Sequence, residues 1–292
     1  MLSGQPCVHQ YHYHYHSTTA TNHHHDMSDL GPLPPALPDL LGDYLPLKKR
    51  TGSSPIPFVT LTYAQSLDAR IAAAPGTRTA ISHAETKTMT HYIRSFHDAI
   101  LVGVNTVLAD NPRLDCRYSD TDTDNNSAHK KISPLIVDPR FRLRHILSIT
   151  ANSNKESIES KLVSNYLNGT GAKPTIILSS ATAEEIGDNE DAFYCDFLRV
   201  EPDDSGQLPW DGILRAISSK GHQSVMIEGG ASIINTLLNT DFVDSLIVTI
   251  GPVYLGDKGV AVAPAGAASG FKDIKWWTGI QDAVMCAHPS TL

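Results

Sequence analysis

The chain has 292 residues, of which 41% are hydrophobic and 18% charged, so it is long enough to bury the core of a large domain. Its formal net charge of −8 argues against a general nucleic-acid or anionic-membrane role, and an anionic substrate would need a local basic pocket. The four cysteines include no Cys-x-x-Cys pair and no apolar stretch reaches eighteen residues, so the sequence predicts a cytoplasmic protein without a cysteine metal site or a transmembrane helix.

Residues 1–54 differ in composition from the rest of the chain. Seven of the fourteen histidines precede Asp26, and a Pro- and Leu-rich stretch occupies residues 31–38. Such a composition cannot bury a core, so it predicts a disordered leader followed by a single domain over residues 55–292. Histidine clusters can bind zinc, nickel or copper, but incidental metal affinity is the simpler interpretation, and no metal site is predicted.

The remaining sequence alternates short apolar runs with helical patterns. A β-rich run covers residues 59–64, and Ser82 with Glu85 makes a capping-box pattern that predicts a helix over residues 83–96. Further strands are predicted over residues 98–102, 135–138, 175–178, 224–227 and 243–250, with helices over 105–109, 214–219 and 229–238 and a last edge strand over 280–288. The alternation predicts one α/β domain with a mostly parallel sheet flanked by helices.

The segment from Val102 to Tyr118 holds the densest set of candidate site residues. An apolar strand is followed by Thr106, Asp110 and Arg117, a set of side chains that suits an enzyme holding a phosphorylated ligand and a cofactor. A guanidinium can bind a phosphate through two parallel hydrogen bonds. Each arginine taken singly is more often a surface residue, and this alternative stays open for Arg94, Arg113 and the alternating Arg140, Arg142 and Arg144, which would share one face of an extended segment.

A second candidate segment runs from Glu228 through Gly229 and Gly230 to Ser232. It follows a strand and opens a helix, where glycines let a ligand approach the backbone and free N–H groups can bind phosphate. A simple tight turn is the alternative, since neither G-x-G-x-x-G nor a Walker sequence is present. Glu228 could bind a ribose or ribityl hydroxyl, or cap the helix.

Other polar residues allow several interpretations. Asp68 and Asp110 could act as acids, hold hydroxyl groups or cap turns. Four histidines lack metal spacing and are interpreted as structural or surface groups: His83, His91, His97 and His145. The signatures of serine hydrolases, zincins and zinc deaminases do not occur in the sequence.

Five segments, in a fixed order, resemble those of a known family. They read V-T-L-T-Y-A-Q-S-L-D-A-R-I-A from Val59, I-L-V-G-V-N-T-V-L-A-D-N-P-R-L from Ile100, L-I-V-D-P from Leu135, I-E-G-G-A-S from Ile227 and I-G-P-V-Y-L-G from Ile250. From about Phe58 onward the chain resembles the riboflavin-biosynthesis pyrimidine reductases. The resemblance implies a dihydrofolate-reductase-like fold, NADPH as cofactor and a homodimer.

The resemblance also narrows the reaction. Because the zinc deaminase signature of the fused bacterial members is missing, the chain resembles the stand-alone fungal and archaeal type. That type reduces 2,5-diamino-6-ribosylamino-4(3H)-pyrimidinone 5′-phosphate to the ribitylamino compound. Two alternatives remain: reduction of the deaminated 5-amino-6-(5-phosphoribosylamino)uracil, and a non-catalytic nucleotide-binding protein on the same scaffold.

Particular residues acquire roles through the same resemblance. Contacts to NADPH would fall on Thr106, Asp110, Val137, Gly229, Gly230, Ala231, Ser232 and Ile233. Contacts to the substrate would fall on Arg94, Leu114, Arg117 and Glu228. Hydride reduces the imine of the opened ribosylamine, and a general acid must open the ring or protonate the nitrogen; Asp68 or Glu228 could supply that proton.

Overall fold

A computed structural model describes residues 30–47, 54–119, 131–149, 159–264 and 270–290. The strands are β1 (Phe58–Gln65), β2 (Arg70–Ala72), β3 (Ala99–Gly103), β4 (Ser133–Val137), β5 (Thr175–Ser179), β6 (Asp196–Val200), β7 (Ser224–Gly229), β8 (Ser245–Ile250), β9 (Val260–Ala261), β10 (Gly270–Thr278) and β11 (Ala283–Ser290). The helices are α1 (Leu37–Leu41), α2 (Ala84–Ser95), α3 (Val104–Asp110), α4 (Arg144–Leu147), α5 (Lys161–Leu167), α6 (Ser180–Ile186), α7 (Trp210–Ser219) and α8 (Ala231–Leu237).

Nine of these strands form one sheet in the order β10-β11-β8-β1-β7-β3-β4-β5-β6. The seven strands from β8 to β6 run parallel, whereas β11 is antiparallel to β8 and β10 is antiparallel to β11. The two short strands β2 and β9 pair separately. The predicted α/β class and mostly parallel sheet are confirmed.

Helices cover both faces of the sheet. Successive side chains of a strand point to opposite faces, so Val225 and Ile227 of β7 join a core with α7 and α8, whereas Met226 joins a core with α1 and α2 on the other face. In β3, Leu101 belongs to the first of these cores and Ile100 to a further cluster that includes residues of α5 and α6. Burial on both faces explains why these strands read as continuous apolar runs.

The C-terminal hairpin differs from the prediction. The predicted edge strand over residues 280–288 is β11, and it lies inside the sheet between β8 and β10. The edge strand is β10, which the sequence did not reveal because Lys272, Asp273 and Lys275 interrupt its apolar pattern. Charged side chains are common on edge strands, where they oppose pairing with another chain.

The capping box predicted at the start of α2 is wrong. The N-cap residue is His83, without a side-chain cap, and Ser82 lies one position earlier. The Glu85 carboxylate accepts a hydrogen bond from the Ile280 N–H at 2.9 Å, and Asp282 Oδ2 accepts one from the His83 N–H at 2.6 Å. The turn between β10 and β11 therefore supplies the hydrogen-bonding partners at the N-terminus of α2. These partners are distant in sequence, so the local sequence does not reveal them.

Part of the predicted leader belongs to the folded domain. Leu37, Leu41 and Tyr44 are fully buried in the core formed with α2 and the sheet. The Ser245 hydroxyl donates a hydrogen bond to the Tyr44 carbonyl at 2.8 Å. The prediction that residues 1–54 bury no core is therefore wrong for residues 37–45, because the leucines between the prolines pack on the sheet. The histidine-rich residues lie outside the described ranges.

Within those ranges, no helix is long and apolar enough to cross a bilayer.

Candidate functional site

The carboxyl ends of three neighbouring parallel strands meet at one edge of the sheet. Val102 of β3 pairs with Gly229 of β7, and Gly103 pairs with Val137 of β4. In open parallel sheets, ligands bind in the crevice outside these ends. The fold therefore brings Val137 close to the two candidate segments that follow β3 and β7.

The Gly229-Gly230 turn connects β7 to α8, and the peptide bond between the two glycines is cis. Gly229 has a φ of +101°, and a Cβ there would lie 2.8 Å from Ile234 Cδ1, so a larger residue would strain the backbone and displace the Ile234 side chain. A Cβ on Gly230 would lie 3.3 Å from the Thr106 hydroxyl oxygen. We call Thr106, Gly229, Gly230 and the start of α8 the glycine cradle.

Helix α3 connects the glycine cradle to a second feature of the site. Thr106 and Asp110 are four residues apart on α3 and so lie on one side of it. Thr106 contacts the glycine turn, whereas Asp110 lines an open cavity. At the other side of the cradle, a Cβ on Gly103 would lie 3.2 Å from Ile233 Cδ1, so the start of α8 packs directly on the end of β3.

The cavity has a volume of about 500 Å³ and lies between α2 and residues 110–117. Its lining holds six cationic side chains: Arg78, Lys87, Arg94, Arg113, Arg117 and Lys161. Two carboxylates, Asp110 and Asp115, are the acidic lining residues. In a chain of net charge −8, this basic cavity supplies the local pocket that an anionic ligand requires.

Arg94 and Glu228 form a two-point ion pair at the edge of the basic cavity. Arg94 Nε lies 2.8 Å from Glu228 Oε1, and Nη2 lies 2.7 Å from Oε2. The third nitrogen of Arg94, Nη1, donates to the Asp115 carbonyl at 2.7 Å. Burial opposes the charged form of Arg94, but the charge and hydrogen bonds of Glu228 outweigh it and raise the pKa of Arg94. Arg94 therefore fixes the orientation of the Glu228 carboxylate.

His91 contacts Arg117, a residue predicted to bind substrate. Burial, together with Arg94, Arg117 and Lys87, lowers the pKa of His91 to about 2, so the imidazole is neutral at physiological pH. Nδ1 accepts the Arg117 N–H at 3.2 Å, and Nε2 lies 2.8 Å from Arg117 Nη2. Because a neutral imidazole accepts at only one nitrogen, it cannot satisfy both donors.

The guanidinium of Arg117 therefore keeps hydrogen-bonding capacity for a ligand. Its Nε is buried without an acceptor, 3.8 Å from Asp115 Oδ1. Sequence interpretation assigned His91 a structural or surface role, and its contact with Arg117 had no local signal, because 26 residues separate the two.

Asp68 holds a loop. Its carboxylate accepts hydrogen bonds from the Ser66 hydroxyl and from the N–H groups of Leu255 and Gly256. These bonds, the Ser66 hydroxyl first, lower the pKa of Asp68 to about 2, so the group is ionised at neutral pH. An ionised carboxylate is a poor proton donor, and this environment opposes the donor role predicted for Asp68.

Asp110 has the opposite environment. Burial raises the pKa of Asp110, and the nearby Arg78 offsets only part of that effect.

Leu114, another predicted substrate contact, is 3% exposed and adopts a left-handed backbone conformation with a φ of +47° where it lines the basic cavity.

The three alternating arginines after β4 do not share an extended face. Phe141, with a φ of +50°, turns the chain between Arg140 and Arg142, and Arg144 begins α4. Arg142 Nη1 instead donates to Asn105 Oδ1 of α3 at 2.6 Å. No group of three His, Cys, Asp or Glu side chains suited to a metal ion occurs among the residues that the structure describes.

Comparisons with known proteins identify the family of the chain. A protein of Debaryomyces hansenii named 2,5-diamino-6-ribosylamino-4(3H)-pyrimidinone 5′-phosphate reductase is 45% identical over 267 residues, which cover 88% of this chain and 98% of the relative. The solved structure of Rib7, a riboflavin biosynthesis reductase of Saccharomyces cerevisiae, superposes with a TM-score of 0.69 at 36% identity, covering 87% of this chain and 100% of that chain.

A bacterial relative matches less extensively. The riboflavin biosynthesis protein RibD of Aquifex aeolicus is 27% identical over 213 residues, covering 73% of this chain and 51% of the relative. The RibD C-terminal domain family matches residues 57–285, which contain all five predicted segments. The resemblance to the riboflavin-biosynthesis pyrimidine reductases is confirmed, and the chain belongs to the RibD C-terminal domain family.

Proposed function

We propose that this protein uses NADPH to reduce the ribosyl side chain of 2,5-diamino-6-ribosylamino-4(3H)-pyrimidinone 5′-phosphate, giving the ribitylamino product in riboflavin biosynthesis. One observation carries the proposal: a basic cavity adjoins a glycine cradle at the carboxyl ends of β3, β4 and β7. The fungal relative that bears the name of this reductase supports the same substrate, since the match extends over 98% of its length.

The glycine cradle fits a dinucleotide. A side chain at Gly229 would meet Ile234, and one at Gly230 would approach the Thr106 hydroxyl, so the glycines let this turn pack closely on α8 and α3. We assign the phosphates of NADPH to the backbone of Gly229, Gly230, Ala231, Ser232 and Ile233 and to the Thr106 hydroxyl. Asp110 and Val137 would contact the rest of the cofactor. When bound, NADPH supplies the hydride.

The basic cavity fits the phosphorylated substrate. Arg117 lines the basic cavity, and the neighbouring histidine cannot satisfy all its donors, so its terminal N–H groups can bind a phosphate oxygen. Leu114 would contact the base. Arg94 would act mainly through Glu228, whose oxygens keep lone pairs for a ribose hydroxyl after accepting from Arg94.

Reduction of the imine needs a proton as well as a hydride. Of the two carboxyl groups predicted as donors, Asp68 is ionised and occupied by three hydrogen bonds. Glu228 is held as a carboxylate by its ion pair with Arg94, so the same objection applies to it, and its position suits accepting a hydrogen bond from a ribose hydroxyl. The protein's own contribution is to orient the two ligands and limit access of water.

The proposal includes a cytoplasmic homodimer, as in the family that the sequence resembles. The edge strand β10 supports it, since Trp276 is 57% exposed and Ile274 49% exposed on the surface. Large apolar side chains grouped on a surface are typical of protein interfaces. Light scattering of the purified protein tests this: a mass of one chain at micromolar concentration would contradict the dimer.

The decisive assay compares two substrates. The purified protein, NADPH and either the diamino pyrimidinone phosphate or its deaminated counterpart are mixed, and NADPH oxidation is followed by absorbance. We expect a clear preference for the diamino compound. Equal turnover of both, or a preference for the deaminated compound, would contradict the assignment. Stabilisation by the ligands without NADPH oxidation would instead support the alternative of a non-catalytic binding protein.

A further inference from the structure

A phosphate group in the basic cavity needs more than one free cation. A phosphate monoester carries a charge of about −1.5 to −2 at neutral pH. Arg94 is not free, because Glu228 accepts from its Nε and Nη2 and the Asp115 carbonyl accepts from its Nη1. Arg117 supplies a single positive charge, so a further cation of the lining is needed to balance a bound phosphate.

Lys161 is such a cation. It lines the basic cavity and is exposed, and among the residues that the structure describes no carboxylate forms an ion pair with it. Its ammonium group is a compact charge with three donors on a flexible stem, which suits a phosphate at the rim of a cavity. Lys161 comes from α5, outside the five segments that carry the family resemblance, so no motif pointed to it.

Asn111 fixes the backbone of Lys161 beside the cavity. Asn111 Oδ1 accepts the N–H of Lys161 at 3.0 Å, and Asn111 Nδ2 donates to the Glu159 carbonyl at 2.6 Å. Asn111 ends α3 directly after Asp110, with a left-handed φ of +43° that asparagine adopts more readily than most residues. One side chain therefore ties the start of α5 to the end of α3.

The rest of α5 is anchored independently of Asn111. Leu162 and Val163 are buried in the core cluster that α5 shares with α3. Asn165 Nδ2 donates to the Arg113 carbonyl at 3.2 Å. Because its backbone is held in place before a ligand arrives, Lys161 loses only side-chain freedom on binding.

We propose that Lys161, positioned by Asn111, binds the phosphate group of the substrate together with Arg117. The inference rests on the proposed function, because it takes the ligand of the basic cavity to be a sugar phosphate. The phosphate is remote from the reacting imine, so Lys161 stabilises the bound substrate and the transition state alike. Its loss therefore raises KM and leaves kcat nearly unchanged.

The test measures two quantities on the full chain and its variants. They are KM and kcat with the diamino pyrimidinone phosphate, and the Kd of ribose 5-phosphate measured by calorimetry in the presence of NADP⁺. For Lys161→Gln we expect KM and this Kd to rise about 5- to 30-fold, because a hydrogen bond between charged groups is lost. Lys161→Arg keeps the charge and should retain most of the affinity. The matched control is Lys173→Gln, which removes the same charge from a surface pair with Asp196 and should change neither value.

Asn111→Gly tests the positioning role. Glycine adopts the left-handed backbone without strain, so this variant removes only the side-chain amide. We expect KM and the Kd of ribose 5-phosphate to rise by a smaller factor than in Lys161→Gln, with no further rise when the two substitutions are combined. Additive effects would show that Asn111 does not act through Lys161.

Three results for Lys161→Gln would overturn the inference. Unchanged KM and ribose 5-phosphate binding would remove Lys161 from the site, and equally weakened NADP⁺ binding would show a structural defect. An equal rise in Arg113→Gln, which alters another exposed cation of the lining, would reduce the effect to general charge.

The two arms also separate this inference from the proposed function. If the unaltered protein binds ribose 5-phosphate but does not oxidise NADPH with the pyrimidine, the proposed function fails and the binding arm still tests Lys161. If the unaltered protein turns over the pyrimidine and Lys161→Gln does so with the same KM, only the assignment of Lys161 fails. An unaltered protein that neither binds ribose 5-phosphate nor oxidises NADPH would contradict both.

Discussion

Arg94 of α2 and Glu228 at the end of β7 are separated by 134 residues in sequence, and their side chains make two parallel hydrogen bonds of 2.8 and 2.7 Å. The pair joins the wall of the basic cavity to the strand that leads into the glycine cradle. Each side chain keeps some exposure, 12% for Arg94 and 19% for Glu228, so the carboxylate stays accessible to a substrate hydroxyl.

Replacing Glu228 by glutamine tests this pair. The substitution keeps the shape of the side chain but leaves Arg94 without a counter-charge. We expect kcat/KM to fall by about 100-fold or more, because an oriented charge at the reacting group is lost. The free energy of unfolding should fall by about 1–3 kcal/mol.

Steady-state kinetics and urea unfolding measure the two effects, and a circular dichroism spectrum checks the fold. The matched control is Asp196→Asn, which breaks a surface pair with Lys173 and Lys220. That control should leave kcat/KM unchanged. A Glu228→Gln variant with full kcat/KM would remove Glu228 from the reaction.

Substitutions of Asp110 should affect activity and stability differently. Its raised pKa means that burial disfavours the charged form in the folded state. The folded protein therefore binds the Asp110 proton more tightly than the unfolded chain does. As a result, the ionised group lowers the free energy of unfolding at pH values above its ordinary pKa. Asp110→Asn should therefore leave the melting temperature unchanged or higher, and Asp110→Ala should behave similarly.

Both Asp110 variants should lose most of their kcat/KM if this carboxylate contacts the cofactor. Thermal unfolding at neutral pH and steady-state kinetics give the two readouts. Full activity in either variant would show that the residue is not part of the cofactor site. A large fall in melting temperature would show instead that the charge is compensated by groups beyond Arg78.

His91 predicts a specific dependence of stability on pH. Its pKa is about 2 in the folded protein, far below the ordinary value of 6.5. The unfolded chain therefore gains a proton as the pH falls below 6.5, whereas the folded protein does not, and stability falls with pH. Between pH 6.5 and about pH 5 the loss should reach about 2 kcal/mol.

Urea unfolding of the unaltered protein and of His91→Gln at several pH values measures this loss. The variant has no titrating ring at this position. The pH-dependent loss of its free energy of unfolding should therefore be smaller than that of the unaltered protein by about 2 kcal/mol. Burial also lowers the pKa of His222, but this contribution is common to both proteins and cancels. Identical pH dependence in the two proteins would show that His91 is not buried in its neutral form.

Because residues 37–45 pack on the sheet, two N-terminal truncations should differ in their effect on stability. Removing residues 1–29 should leave activity and melting temperature unchanged, because their polar, histidine-rich composition cannot bury a core. Removing residues 1–53 should destabilise the protein, because it exposes Met226 and Ile247, which pack on α1 and Tyr44. Activity lost with residues 1–29 alone would support the alternative of a metal-binding function in the histidine-rich leader.

A single substitution makes the same point without truncation. Leu41→Ala should cost about 2–5 kcal/mol of stability, as is usual for a leucine removed from a tight core. Asp39→Ala on the same helix is the control, since Asp39 is exposed and should change stability little. Equal stability of the two variants would contradict the packing of α1 on the sheet.

The regular α/β part of the fold could be predicted because its signals are local. Buried parallel strands such as β3 and β5 read as unbroken apolar runs of β-branched and aliphatic residues. β3 and β7 are each followed by a segment that contains polar residues and glycine. Because the two strands are parallel, these segments meet at one edge of the sheet. These features need no knowledge of distant contacts.

The features that sequence interpretation missed depend on distant partners. α1 becomes stable only on β8, β11 and α2, and its prolines and leucines taken alone resemble a linker. Glu85 caps nothing locally because the β10–β11 turn supplies its N–H partners 195 residues later. The low pKa of His91 comes first from burial, which only the folded chain provides, whereas that of Asp68 comes first from Ser66, two residues away, and then from Leu255 and Gly256.

The position of β1 in the sheet has a consequence for biosynthesis. β1 lies between β7 and β8, and its register joins Phe58 to Ser224 and Thr60 to Ser245. A ribosome releases β1 long before either neighbour, so this apolar strand stays unpaired while most of the chain is still being translated. Closing such long loops is slow, and we expect the nascent enzyme to depend on protection from aggregation until its last third emerges.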